Sequence, residues 1–239
     1  MSHHYIEVKD LTFKYSDGTE ALHKISLFVS HGESVAILGS NGAGKSTFIK
    51  HLNGVLLPSS GTVNIGGVTV AKNTVKRIRE KVGIVFQNTD NQLFMPSVYE
   101  NVAFSLRNML LEETLVKEAV EDALMKVGCL HLVDKHPFKL SGGEKRKVCI
   151  ASIVASNPEI LVLDEPTAEV DPKGISDIVK ILNGFVHTKI VSTHNLKFAK
   201  AVCKRGILFH RGEIIFDGNV NEITENQTLL KKAEIFEDY

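Results

Sequence analysis

The sequence has few cysteines, no excess of either charge and no apolar run long enough to cross a bilayer. Cys129, Cys149 and Cys203 are scattered and form no CxxC pair. That spacing argues against a disulfide framework or a zinc site and fits a reducing compartment. The simplest reading is three buried structural thiols. Lysine plus arginine equals aspartate plus glutamate at 28 each, so no net charge draws the whole molecule towards nucleic acid or anionic lipid. Any recognition must be local. The opening MSHHYIEVKD lacks the basic region and apolar run of a signal peptide. The longest apolar stretches, such as EILVLDEP, fall far short of the ~20 residues a spanning helix needs. The chain is expected to be soluble by itself and to serve any membrane process by docking on another protein. No internal repeat or low-complexity segment is present.

What is there is a chain of 239 residues, enough for a substantial core in one domain with an inserted lobe. YIEVKDLTFKY, ISLFVSHGESVAILG and GTVNIGGVTV read as strands, several of them antiparallel, with turns at Asp17-Gly18, His31-Gly32 and Gly66-Gly67. Continuous apolar runs at KVGIVF, EILVLD and KIVSTH alternate with helical patterning, which signals a parallel sheet with helices on its faces. Between Gln87 and Pro158 helical periodicity takes over. Val116, Val120, Leu124 and Val127 fall on one face of a helix, with charged residues on the others. RGILFHRGEIIFDGN reads as a hairpin turning at Arg211-Gly212, and the last residues as a helix or frayed tail.

GSNGAGKST supplies Gly39, Ser40, Asn41, Gly42, Ala43, Gly44, Lys45, Ser46 and Thr47 between the strand SVAIL and the helical TFIKHLNGV. This is a phosphate-binding P-loop in the required strand-to-helix context. Its glycines let successive N–H groups point at phosphate oxygens, and the helix start adds partial positive charge. Lys45 is expected to reach the β- and γ-phosphates and Ser46 to ligate Mg²⁺. In ILVLDEP, Asp164 and Glu165 end a buried strand. Next to a magnesium nucleotide they divide into a metal-positioning acid and a general base, although an isolated acidic pair is more often a solvated strand end. His194 ends another apolar run, at the sheet edge where ligands gather. Gln87, after GIVF, is a candidate contact to Mg²⁺ or the attacking water that reports site occupancy to the helical lobe. The alternative is a polar strand cap.

Tyr15, GSNGAGKST, Gln87, LSGGE at 140–144, ILVLDEP, AEVD at 168–171 and His194 together resemble the nucleotide-binding subunit of an ABC transporter. Within that family, VFQNTDNQLFMPSVYENVAF is most similar to the ATPases of energy-coupling-factor importers, which take up vitamins or cobalt or nickel ions. The resemblance covers nearly the whole chain. It implies an α/β fold: a P-loop NTPase core with a parallel sheet, an N-terminal antiparallel β subdomain and an inserted α-helical subdomain. Residues 1–87 and 158–239 would form the core and 88–157 the helical part. It also implies that Tyr15 stacks on adenine, the alternative being a half-buried core tyrosine. Ser141, Gly142 and Gly143 of a second chain would complete the ATP site, and Asp171 would couple the two sites across the boundary.

The implied cofactors are ATP and Mg²⁺, with Ser46, Gln87 and Asp164 around the metal. The implied partners are a second ATPase subunit, identical or paralogous, and integral membrane subunits, at the cytoplasmic face of the membrane. A soluble ABC ATPase acting on nucleic acid or ribosomes is the competing reading. It is disfavoured by the single cassette and the lack of a long basic insert, so no direct nucleic acid contact is expected. Two departures from the family pattern stand out: Glu144, where glutamine is common, and AEVD in place of a small residue followed by leucine and aspartate.

Two further expectations concern the helical lobe. Lys145, Arg146 and Lys147 begin the helix after LSGG, the unfavourable end for cations. A nearby nucleotide would offset their charge, and Lys147 reads as a solvated helix face. Leu93, Phe94 and Met95 follow a polar loop, where they form either an exposed partner surface or lobe core.

Overall fold

Alternation of apolar side chains builds the first of two sheets. In β1 (Ile6–Lys14) the residues Ile6, Val8, Leu11 and Phe13 are buried. The phase slips between Val8 and Leu11, where the pairing is irregular and Asp10 has φ 48°. β1 pairs antiparallel with β2 (Glu20–Val29) and β4 (Ser60–Ile65), and β5 (Val68–Thr69) completes the order β2-β1-β4-β5. The computed structural model describes residues 5–235. The expectations for MSHH and for residues 236–239 lie outside the described residues.

The second sheet comprises β3 (Ser34–Leu38), β6 (Val82–Val85), β7 (Ile160–Asp164), β8 (Thr188–Thr193), β9 (Arg205–His210) and β10 (Glu213–Asn219), in the order β10-β9-β3-β8-β7-β6. All its pairings are parallel except the β9–β10 hairpin. Every residue of β7 and β8 is buried; β7 is apolar up to Asp164, while β8 buries Thr188, Lys189, Ser192 and Thr193 around Ile190 and Val191. Successive side chains of β7 serve two cores. Ile160 and Val162 pack with the first sheet and α1 (Lys45–Leu52), while Leu161 and Leu163 pack with the helices on the other side.

Between β6 and β7 the chain forms α3 (Val98–Asn108), α4 (Glu113–Lys126) and α5 (Gly142–Val154) and no strand. The expected stripe holds: Val116, Val120, Leu124 and Val127 are all buried. A short α2 (Val75–Lys81) precedes β6. It buries only Ile78, so it left no apolar period to read. After β7 come α6 (Pro172–Gly184), α7 (Leu196–Val202), α8 (Val220–Glu225) and α9 (Gln227–Lys232). The three cysteines are buried and unpaired, and burial pushes the Cys149 and Cys203 thiols up to about 12. Among the described residues no helix is long and apolar enough to cross a membrane.

Parallel pairing brings the ends of β3, β6, β7 and β8 to one edge. Gly39, Phe86-Gln87, Glu165 and His194 leave the sheet there. Behind that edge His51 on α1 is fully buried, its Nδ1 2.8 Å from the Thr47 carbonyl and its ring edge-on to Phe13 at 4.7 Å. Burial lowers the His51 pKa, against the opposing pull of the Thr47 and Leu57 backbones. The folded chain therefore binds fewer protons here than the unfolded chain. Stability from this residue is complete above the ordinary histidine value of about 6.5 and is lost as pH falls from there towards the folded pKa. We expect the melting temperature to fall over this interval and to fall less steeply in His51→Gln; equal slopes in thermal melts of the two proteins would refute the assignment.

Candidate functional site

The turn after β3 delivers an unfilled helix start to the sheet edge. Gly44 caps α1 with φ 102° and offers no side-chain hydrogen bond. A Cβ at this position would lie 2.8 Å from the Ala21 carbonyl oxygen, so a glycine is required. The first amides of a helix have no intrahelical acceptor, and the helix dipole adds positive charge, so an anion is the natural ligand. Lys45 is 6% exposed, and its Nζ donates to the carbonyls of Gly39 (2.7 Å) and Ser40 (3.0 Å). Burial lowers its pKa, opposed by the negative charges of Glu165 and Asp164.

The two carboxylates are held differently. Asp164 Oδ1 accepts from Ser46 Oγ at 3.1 Å and from Ser192 Oγ at 2.7 Å, linking β7 to α1 and β8. Glu165 takes φ 44°, a left-handed conformation costing on the order of 1–3 kcal/mol in a residue with a side chain. Two backbone bonds fix it there: its N–H donates to the Ser192 carbonyl at 2.9 Å, and its carbonyl accepts from the Ala168 N–H at 3.1 Å. Its carboxylate is buried, with Lys45 Nζ 3.6 Å from Oε1 and His194 Nδ1 3.1 Å from Oε2. Neither approach has hydrogen-bond geometry, so both oxygens are buried without a hydrogen-bond partner. A buried carboxylate in that condition is costly unless something else occupies its lone pairs.

A cavity of about 670 Å³ opens over these groups. It brings together Tyr15, Asn41, Gly42, Gly44, Lys45, Ser46, Thr47, Gln87, Glu165 and His194. Tyr15 is held edge-on to Phe13 at 4.9 Å, with its hydroxyl 2.9 Å from Thr47 Oγ1. Gly39, Ser40, Ala43 and Asp164 are not part of the cavity lining. Ser141, Gly142, Gly143 and Asp171 do not line this cavity at all. Ser141, Gly143 and Asp171 instead line a separate hollow of about 240 Å³.

The ABC transporter family matches residues 22–168. The energy-coupling factor transporter ATP-binding protein EcfA of Methanothermobacter thermautotrophicus is 44% identical over 96% of this chain and 76% of its own length. The structure of cbiO1 from Clostridium perfringens, described as part of the ABC transporter complex cbiONQ, superposes with a TM-score of 0.84. It is 39% identical and covers 95% of this chain and 93% of that one. An ATP-binding cassette solved as a dimer in a post-hydrolysis state with ADP and Pi gives 0.83 at 27% identity, covering 90% and 98%. The chain belongs to the ABC transporter ATPase family. It has the family's α/β fold and is an ATP-binding ATPase.

In this ABC ATPase the LSGGE segment has an intrachain logic of its own. Ser141 caps α5 in a capping box: its Oγ accepts from the Glu144 N–H at 3.3 Å, and Glu144 Oε2 accepts from the Ser141 N–H at 2.8 Å. That backbone bond holds the Glu144 carboxyl below its ordinary pKa. All the bonds to Glu144 fall on one oxygen, which a glutamine carbonyl would also supply. Asp171 likewise caps α6, accepting from the Gly174 N–H at 3.0 Å.

The basic run departs from expectation. Lys145 reaches Asp90 at 2.7 Å, Lys147 reaches Asp177 at 3.4 Å, and Arg146 is 2% exposed. All three have intrachain partners, so Lys147 is not on the solvated face expected for it. The burial of Arg146 leaves no sign in the sequence, because a charge run normally lies in solvent.

Gly142 packs against the 168–171 loop, and a Cβ there would fall 2.5 Å from the Glu169 carbonyl oxygen. At Gly143 an added carbon would sit at ordinary contact, 3.6 Å from Val170 Cγ1. Gly142→Ala is therefore expected to destabilise the fold by about 1–3 kcal/mol in urea titrations, the usual cost of overpacking, while Gly143→Ala is not. Equal midpoints for Gly142→Ala and the parent would contradict the close approach.

Proposed function

We propose that this ABC ATPase energises a membrane importer of the energy-coupling-factor type, taking up a metal ion such as cobalt or nickel, or a vitamin. The observation that carries the catalytic part is the Glu165 carboxylate, buried at the cavity wall with both oxygens lacking a hydrogen-bond partner. On this reading Glu165 takes the proton from the water that attacks the γ-phosphate, and His194, beside it, orients that water. Lys45 exchanges its two carbonyl partners for phosphate oxygens. The P-loop amides from Gly39 to Thr47 wrap the triphosphate, and Tyr15 offers its ring to the adenine.

Ser46, Asp164 and Gln87 suit Mg²⁺, a hard cation that prefers oxygen donors. Bound there, it would neutralise charge developing on the phosphates. Ser141, Gly142 and Gly143 lie away from their own chain's cavity, so we assign them, with Asp171, to the ATP of a second ATPase subunit, identical or paralogous. The cassette solved as a dimer supports that arrangement.

The importer reading is supported by the EcfA and cbiO1 likenesses and by an apolar surface on the helical region. Phe94 is 62% exposed and stacks edge-on with the exposed Phe104 at 5.1 Å. Leu93 is buried instead and belongs to the core of that region. We assign the Phe94–Phe104 surface to a cytoplasmic segment of the membrane subunits, which would hold the protein at the cytoplasmic face of the membrane.

Two outcomes test these assignments. Glu165→Gln is expected to bind ATP normally, lose at least ~100-fold in hydrolysis and accumulate as an ATP-dependent dimer in size-exclusion runs. Turnover at the parental rate would remove Glu165 as the base. Phe94→Ala is expected to keep the parental melting temperature yet fail to copurify with the membrane subunits; undiminished copurification would exclude that surface.

A further inference from the structure

Among the described residues Arg146 is the bulkiest fully buried side chain, and none of their carboxylates is at hydrogen-bond distance from it. Its fork is spent on backbone. Nη1 donates to the Phe86 carbonyl at 2.7 Å and Nη2 to the Gln87 carbonyl at 2.8 Å, while Nε has no partner. Burying a guanidinium for two carbonyls is an expensive way to stabilise a fold. The bonds must be weighed by what they join. Residues 86–87 leave β6 at the sheet edge and put Gln87 into the cavity with Lys45 and Glu165. Arg146 lies in the second turn of α5, whose first residues follow Ser141.

Two neighbouring contacts reinforce the same junction. Lys145 pairs with Asp90 at 2.7 Å, so consecutive residues of α5 grip both ends of the 86–90 segment. Gln92 folds back to close the segment's base, its Nε2 donating to the Ile84 carbonyl at 3.0 Å and its Oε1 accepting from the Phe86 N–H at 3.2 Å. The segment is thus braced against itself and bolted to α5. Two hydrogen bonds and an ion pair join residues 86–90 to the helix.

We propose that Arg146 is a positioning residue: by its bonds to the Phe86 and Gln87 carbonyls it makes the Gln87 segment and the start of α5 move as one body. What Gln87 meets in its own cavity then sets where Ser141–Gly143 are presented to the second subunit. This rests on the dimeric reading above and adds to it the residue that transmits between the two half-sites. A planar two-pronged donor is the group that can hold two successive carbonyls at once. Unlike a lysine, whose single nitrogen can swivel between acceptors as Lys45 does, it holds them through two nitrogens in a fixed planar geometry.

The test compares Arg146→Met, which keeps the apolar bulk, and Arg146→Gln, which can restore one carbonyl bond. Each is made in the parent and in Glu165→Gln. Binding of a fluorescent ATP analogue to the isolated chain should stay within about twofold of the parent, because the P-loop cavity is intact. The kcat should fall about tenfold in Arg146→Met and less in Arg146→Gln. The ATP concentration at which Glu165→Gln dimerises should rise correspondingly. Combined with Gln87→Ala, Arg146→Met should add no further loss, since both act through one route.

A folded Arg146→Met, or a folded Arg146→Gln if the first does not fold, with parental kcat and parental dimerisation overturns the proposal. So does a loss that multiplies with that of Gln87→Ala, the mark of a purely structural effect. If Glu165→Gln itself never dimerises, the dimeric reading fails instead, and the combination of Arg146 with Gln87 still decides whether the two residues are coupled.

Discussion

One carboxylate oxygen of Asp164 ties the catalytic edge together. It accepts from Ser46 on α1 and from Ser192 on β8, so the helix that follows the glycine-rich turn, the strand that carries the acids and the strand that leads to His194 share a single anchor. Because all three elements leave a parallel sheet at the same edge, fixing their ends fixes the cavity. Glu165 follows as a consequence. With Asp164 pinned on β7, the next residue must reverse the chain at once. It does so in a left-handed conformation, held by Ser192 and Ala168, that turns its carboxylate into the cavity. Strain in the backbone is thus exchanged for a buried acid at the cavity wall beside Lys45 and His194.

The electrostatics of the cavity are set for a polyanion. Lys45 is desolvated, and its donors are spent on carbonyls that are neutral and readily replaced. The helix start at Gly44 has no side-chain cap to compete with a phosphate. Glu165 forms an ion pair with Lys45 at 3.6 Å and opposes the effect of burial on it. A bound triphosphate would take over Lys45 and leave Glu165 to a water, which is the division of labour proposed for hydrolysis.

Much of this was legible in the sequence because the sheet is buried on both faces. SVAIL and ILVLD are largely apolar runs and KIVST has an apolar centre, and the residue after each falls at the sheet edge; that rule put Gly39, Glu165 and His194 near one another. The stripe from Val116 to Val127 was legible for the same reason, since burial leaves a period. What escaped had no local signature. Arg146 is buried by a segment about 60 residues away, and a Lys-Arg-Lys run gives no sign of that. Leu93 and Phe94 are adjacent, but one enters the core and the other faces solvent, a distinction that needs the packing of α3. Gly142 is a glycine because the Glu169 carbonyl lies against it, a contact between segments distant in sequence.

The glycines of LSGGE therefore satisfy two demands. Gly142 must be small to let the 168–171 loop approach, and the same loop carries Asp171, which caps α6 within the chain. On the dimeric reading, these residues would meet the ATP of a second subunit from a platform braced within one chain: a capping box at Ser141, the bonds from Arg146 to the Gln87 segment and a close-packed loop beneath. Prearranged amides bind a phosphate without first losing the entropy of ordering. On the dimeric reading, that rigidity lets a nucleotide bound to one chain serve as the contact surface for the next.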